Sequence, residues 1–153
     1  MPAGSDSADR AGVALPHTWR PLGVRLAAVI FGVGLLVICA MAWVGFDQEI
    51  RDVFTVPQRI TLVILGLLMV AALHALSRSR VTAETHRIIV VNGYRRRVFD
   101  RNAVVAVSLG RGAPWATLDL DDGSSVPAMG IQGSDGDRAR DAVRELRAVL
   151  DAA

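Results

Sequence analysis

The chain has 153 residues, 52% of them hydrophobic and 21% charged, with a formal net charge of +2 and a mean hydropathy of +0.36. The apolar excess is concentrated between Leu22 and Leu76, which leaves little more than half of the chain to fold in water. That distribution excludes a disordered tail, a collagen-like chain, a disulfide scaffold and a two-domain soluble enzyme.

All 17 basic residues are arginine. Without lysine there is no Schiff-base chemistry and no phosphate-loop lysine. Cys39 is the single cysteine, so neither an internal disulfide nor a cysteine-rich zinc site can form. It reads as a small apolar residue within a hydrophobic run.

Residues 1–21 read as a flexible N-terminal cytoplasmic segment, and residues 22–46 as a first transmembrane helix. From Leu26 to Val44 no charge interrupts the run. Its length as a helix, about 28 Å, is close to a bilayer's hydrocarbon core. Arg20 and Arg25 flank its start, and Trp43 and Phe46 stand at its end as interfacial aromatics. Ala40-Met41-Ala42 fits a signal-peptide cleavage pattern, but the apolar core is longer than a signal peptide's. Residues 47–56 form a short extracytoplasmic hairpin and residues 57–77 a second span, with Pro57 suited to a first helical turn and Arg59 able to snorkel. His74, near the cytoplasmic end of that span, has no charged partner within either helix and reads as a neutral interfacial side chain. Arginines gather before the first helix and after the second, so both termini are expected in the cytoplasm of a bacterial cell, with the protein multi-pass in its inner membrane.

Residues 78–153 change pattern. Strands are predicted over Val81–Thr85, His86–Val91, Tyr94–Phe99, Val104–Leu109, Trp115–Leu120 and Ser124–Met129. Asn92-Gly93 is read as a two-residue hairpin turn and Asp121-Asp122-Gly123 as a second turn. Pro127 points to an edge or a bulge. Ser134 or Asp135 can cap a helix running to about Asp151, with Ala139, Val143, Leu146, Val149 and Leu150 on one face. The fold class is therefore two transmembrane α-helices followed by a mainly-β barrel or sandwich of antiparallel strands, closed by a C-terminal helix.

The order of two spans, a strand–Asn-Gly–basic strand unit, the stretch Trp115-Ala116-Thr117-Leu118-Asp119-Leu120-Asp121-Asp122-Gly123 and a C-terminal helix resembles bacterial pleckstrin-homology-like (PH-like) membrane proteins, specifically the low molecular weight protein antigen 6 family. The resemblance covers roughly Ser79 to Leu150. It implies seven strands, one more than the residues themselves indicate, and no catalytic residues. The tryptophan that members often carry after the basic strand has no counterpart at Phe99, Asp100 or Arg101.

Arg95, Arg96 and Arg97, with Arg87 on the partner strand, are the candidate contacts for an anionic ligand or a partner. Alternation puts Arg95 and Arg97 on one face and Arg96 on the other. A turn at Asn92-Gly93 pairs Arg87 with Val98 and places Arg87 on Arg96's face. Arginine forks suit phosphate on lipid headgroups; the plainer reading is a solvated edge that resists aggregation. Asp119, Asp121 and Asp122 lack the ligand spacing of a calcium loop and read as a turn. Trp115 is a core residue or a partner anchor, with core favoured. His86, Glu84 and Ser108 form no recognisable triad. The expectation is a non-enzymatic protein without cofactor or metal. It sits in the lipid bilayer and presents its domain for protein partnership or self-association, or alternatively to sense anionic headgroups. Nucleic acid is not an expected partner.

Overall fold

The computed structural model describes residues 13–152. The first element is a strand, β1 (His17–Trp19), followed by helix α1 (Leu22–Gly45), a short helix α2 (Gln48–Val53) and helix α3 (Val56–Arg78). Strands β2 (Arg80–Ala83), β3 (Arg87–Asn92), β4 (Arg95–Asp100), β5 (Val104–Ser108), β6 (Trp115–Leu120) and β7 (Ser125–Gln132) lead to helix α4 (Asp137–Asp151).

Helices α1 and α3, of 24 and 23 residues, are long and apolar enough to cross a membrane, and bury no residue fully within the protein. Between them, Arg59 turns back rather than reaching outward. Its Nε donates to the Phe54 carbonyl at 2.9 Å and its Nη2 to the Arg51 carbonyl at 2.7 Å, over the Trp43 ring.

The strands form two antiparallel sheets, ordered β1-β2-β3-β4 and β5-β6-β7, packed face to face without closing into a barrel. The seventh strand lies before the helices. His17, Thr18 and Trp19 pair with Ala83, Thr82 and Val81, so the helical pair is inserted between two neighbouring strands of one sheet. The flexible segment expected over residues 1–21 is thus ordered at this strand, with Trp19 only 7% exposed and Pro21 fully buried. Its first twelve residues lie outside the described ones. Three residues of mixed character carry no period, so nothing local marked them as a strand.

The core between the sheets is built from Val81, Ile88, Val90, Val107, Leu118, Val126 and Ile131, and α4 lays Ala139, Ala142, Val143, Leu146 and Val149 over it. Each such Val, Leu or Ile contributes about 1.5–3 kcal/mol on full burial. Trp115, expected in the core, is only half-buried; the core tryptophan is Trp19. Pro127 lies on β7, an edge of its sheet, where its missing N–H costs no ladder bond.

Strand β7 approaches β2 across the sandwich at Gly130, where an added Cβ would stand 2.5 Å from the Arg80 backbone. Gly130→Ala is therefore expected to destabilise the protein by roughly 1–3 kcal/mol through overpacking. Gly34→Ala, with nothing within 4 Å, is the control. Thermal unfolding of the full-length protein in mild detergent checks this, and a Gly130→Ala melt equal to wild type would refute the close crossing.

Candidate functional site

The β3–β4 hairpin closes one residue later than its sequence suggests. Asn92 pairs with Arg95, so the loop is Gly93-Tyr94, with Gly93 alone at positive φ (61°) as the first position of a type II′ turn requires. Asn92 stays in the strand because β7 uses its side chain. Its Nδ2 donates to the Pro127 carbonyl at 2.6 Å, and its Oδ1 accepts from Met129 N–H at 3.0 Å. Arg87 consequently pairs with Asp100, not Val98. The shift is two residues, so facial parity is unchanged and Arg87 still shares Arg96's side.

The turn docks on α3. Tyr94 Oη donates to the Ala71 carbonyl at 3.2 Å and lies 3.1 Å from His74 Nδ1, with the Arg78 guanidinium 5.6 Å from the Tyr94 ring centroid. A His74 Nδ1–H donating to Tyr94, which in turn donates to Ala71, satisfies both contacts. Gly93 N–H donates to the buried Ser79 hydroxyl at 3.1 Å.

Between this hairpin, α3 and β7 lies a groove of about 540 Å³, with Ala72, Ala75 and Leu76 on one side, Arg95 and Arg97 on another, and Pro127 and Met129 beyond. Among the described residues neither the Arg95 nor the Arg97 side chain has an ion-pair or hydrogen-bond partner. The other polar groups of the groove, Ser79 and Asn92, are already bonded. The four candidate arginines therefore divide. Arg95 and Arg97 line the groove, Arg96 faces away, and Arg87 is paired with Glu84 at 3.0 Å. An exposed pair of that kind is worth at most about 1 kcal/mol, so it marks neutralisation of Arg87 more than stability.

A second junction holds α1. Leu22 and Gly23 N–H groups donate to the two carboxylate oxygens of Asp135, at 3.2 and 2.9 Å. Asp135, expected to cap α4, caps α1 instead, while Gly136 stands at the N-cap of α4. Any side chain at position 23 would crowd it, since a Cβ there would come 2.7 Å from Asp135 Oδ1. Trp19 Nε1 donates to Glu145 Oε2 at 2.8 Å, tying β1 to α4.

The bacterial PH domain model matches residues 78–148. Uncharacterised proteins of Mycobacterium tuberculosis (strains H37Rv and CDC 1551) and Mycobacterium bovis are each 30% identical over 135 residues, covering 88% of this chain and 85% of the relative. The chain belongs to the bacterial PH domain family. No solved structure matches it. The matching model carries the general family name, not the narrower antigen 6 one.

Elsewhere in the PH-like domain, Asp121-Asp122-Gly123 forms the expected turn. Ser124 pulls the Asp122 carboxyl below its ordinary value by hydrogen bonds from its hydroxyl and its N–H, the latter at 2.8 Å, and Ser125 Oγ donates to Asp119 at 2.7 Å. Arg101 donates to the Thr85 carbonyl at 3.2 Å and to the Val149 carbonyl, capping the end of α4.

Asp135→Ala removes a charged cap from two α1 N–H groups, and is expected to lower stability by about 1–2 kcal/mol, with Asp135→Asn losing less. Thermal unfolding of the two variants checks it. Equal melting of Asp135→Ala and wild type would contradict the cap.

Proposed function

We propose that the protein crosses a bacterial inner membrane twice, with both termini cytoplasmic. There it holds its PH-like domain against the membrane surface as a non-catalytic module for protein interaction and assembly. Two long apolar helices and the arginine-rich flanks on the domain side support this placement. The observation that carries the reading is the absence of a tether. Two residues, Arg20 and Pro21, join β1 to α1, and Ser79 alone joins α3 to β2. With β1 and β2 paired, the domain has a fixed orientation and presents the same surface to anything that shares the membrane.

The surface best built for a partner is the free edge of β4, the terminal strand of its sheet. A two-residue loop makes Asn92/Arg95 a hydrogen-bonded pair, and pair types then alternate. The N–H groups of Arg96 and Val98 therefore point away from β3. An extended segment added there would gain main-chain bonds, and acidic side chains on it would meet Arg96. The exposed Val98 side chain, 44% accessible, gives such a strand an apolar contact.

Val98→Pro removes one outward donor and spares the β3 ladder. Tagged full-length protein would be crosslinked photochemically in its own membranes, because without lysine only the N-terminus offers an amine. The expected result is a near-stoichiometric partner whose yield falls at least about tenfold in Val98→Pro, the loss of a main-chain bond and register together. A partner held equally by a folded Val98→Pro variant would defeat the edge-strand assignment.

A further inference from the structure

We propose that the groove between α3 and the β3–β4 hairpin binds the headgroup phosphate of one anionic phospholipid still resident in the bilayer. Arg95 and Arg97 act as its ligands. This rests on the membrane placement above but not on the β4 edge.

A helix of 23 residues is about 35 Å long, some 5 Å more than a typical hydrocarbon core. Arg78, the basic residue in the last turn of α3, anchors that turn among the headgroups. Ala75 and Leu76, which line the groove, lie in that turn, and Tyr94 fixes the hairpin to Ala71, one turn deeper. The two guanidinium groups are thus carried to the level where lipid phosphates lie, by contacts that the protein makes with its own helix.

Arg95 and Arg97 share a strand face, and no carboxylate among the described residues pairs with either. Two adjacent guanidiniums favour one phosphate between them, bound through charge-assisted forks. A zwitterionic lipid offers the same phosphate but brings a quaternary ammonium towards the arginines. An anionic one does not.

Ala72, Ala75 and Leu76 give the groove an apolar side continuous with the lipid-facing surface of α3. A free phosphate ester has no use for that side, whereas the glycerol and upper chains of a phospholipid would lie along it. Small alanines leave the space. The ligand is therefore a lipid and not a soluble anion, although the phosphate chemistry is shared.

The test uses full-length protein. Flotation with liposomes through alkaline carbonate first checks the membrane placement: protein that strips off refutes that reading and this one together, whereas protein that stays leaves the lipid site to the following measurement. Native mass spectrometry in mild detergent then titrates phosphatidylglycerol against phosphatidylcholine. One phosphatidylglycerol per chain is expected, favoured roughly 30-fold. Arg95→Gln/Arg97→Gln should abolish the preference, and Arg87→Gln/Arg96→Gln, an equal charge change on the opposite face, should keep it. Ala72→Phe fills the groove with both arginines intact and should also lose the lipid. Unfolding curves establish that each variant is folded. Equal loss in both arginine pairs would mean general charge attraction and overturn the site. Wild-type binding by Ala72→Phe would remove the lipid from the groove, and displacement by glycerol phosphate would replace it with a soluble ligand.

Discussion

The pairing of β1 with β2 is the constraint on which the rest of the molecule depends. Three residues before the helical pair, His17 to Trp19, complete a sheet that resumes only at Arg80. A three-residue ladder is weak by itself, and closing a loop of that length costs chain entropy. The ladder persists because side chains hold its ends. Trp19 is buried against the core and bonded to Glu145, and Thr18 and Thr82 share a hydrogen bond of 2.9 Å. Asp135 fixes the first turn of α1 just beyond it. Without β1, strand β2, whose Val81 and Ala83 are fully buried, would become a sheet edge.

From that constraint follows a domain joined to its helices at two points, through Arg20-Pro21 and through Ser79. The matched family unit begins at Arg78, the last residue of α3. Here the unit is incomplete without a strand from the other side of the helical pair. The similarity to the mycobacterial relatives runs over 135 residues, far longer than the domain, so the likeness takes in the apolar helices as well. A fixed domain turns position into chemistry. Arg95 and Arg97 open onto a groove beside α3, Arg96 looks outward from a free strand edge, and Arg87 is neutralised by Glu84.

Much of this was legible in the residues. Uninterrupted apolar runs specified α1 and α3, a helical period specified the buried face of α4, and strand alternation separated Arg95 and Arg97 from Arg96 and Arg87. What escaped was non-local. His17-Thr18-Trp19 has no pattern of its own and becomes a strand only because β2 lies beside it. Asn92-Gly93 has the chemistry of a turn, but β7 engages the Asn92 side chain and moves the loop on to Tyr94. Asp135 is a sound cap for the helix that follows it, and it caps α1 because the fold brings that helix's free N–H groups within reach. In each case a side chain with a plausible local use was taken by a distant segment.

A disulfide across the β1–β2 ladder reports directly on whether the two strands pair. Thr18 and Thr82 are register partners, so Thr18→Cys/Thr82→Cys, in a Cys39→Ser background, places two thiols opposite each other. Mild oxidation in native membranes should crosslink the pair almost completely, detected as faster migration on a non-reducing gel that thiol reduction reverses. If the pair stays reduced while the protein remains folded, the sheet is not completed across the helices, and the fixed platform on which the account stands is wrong.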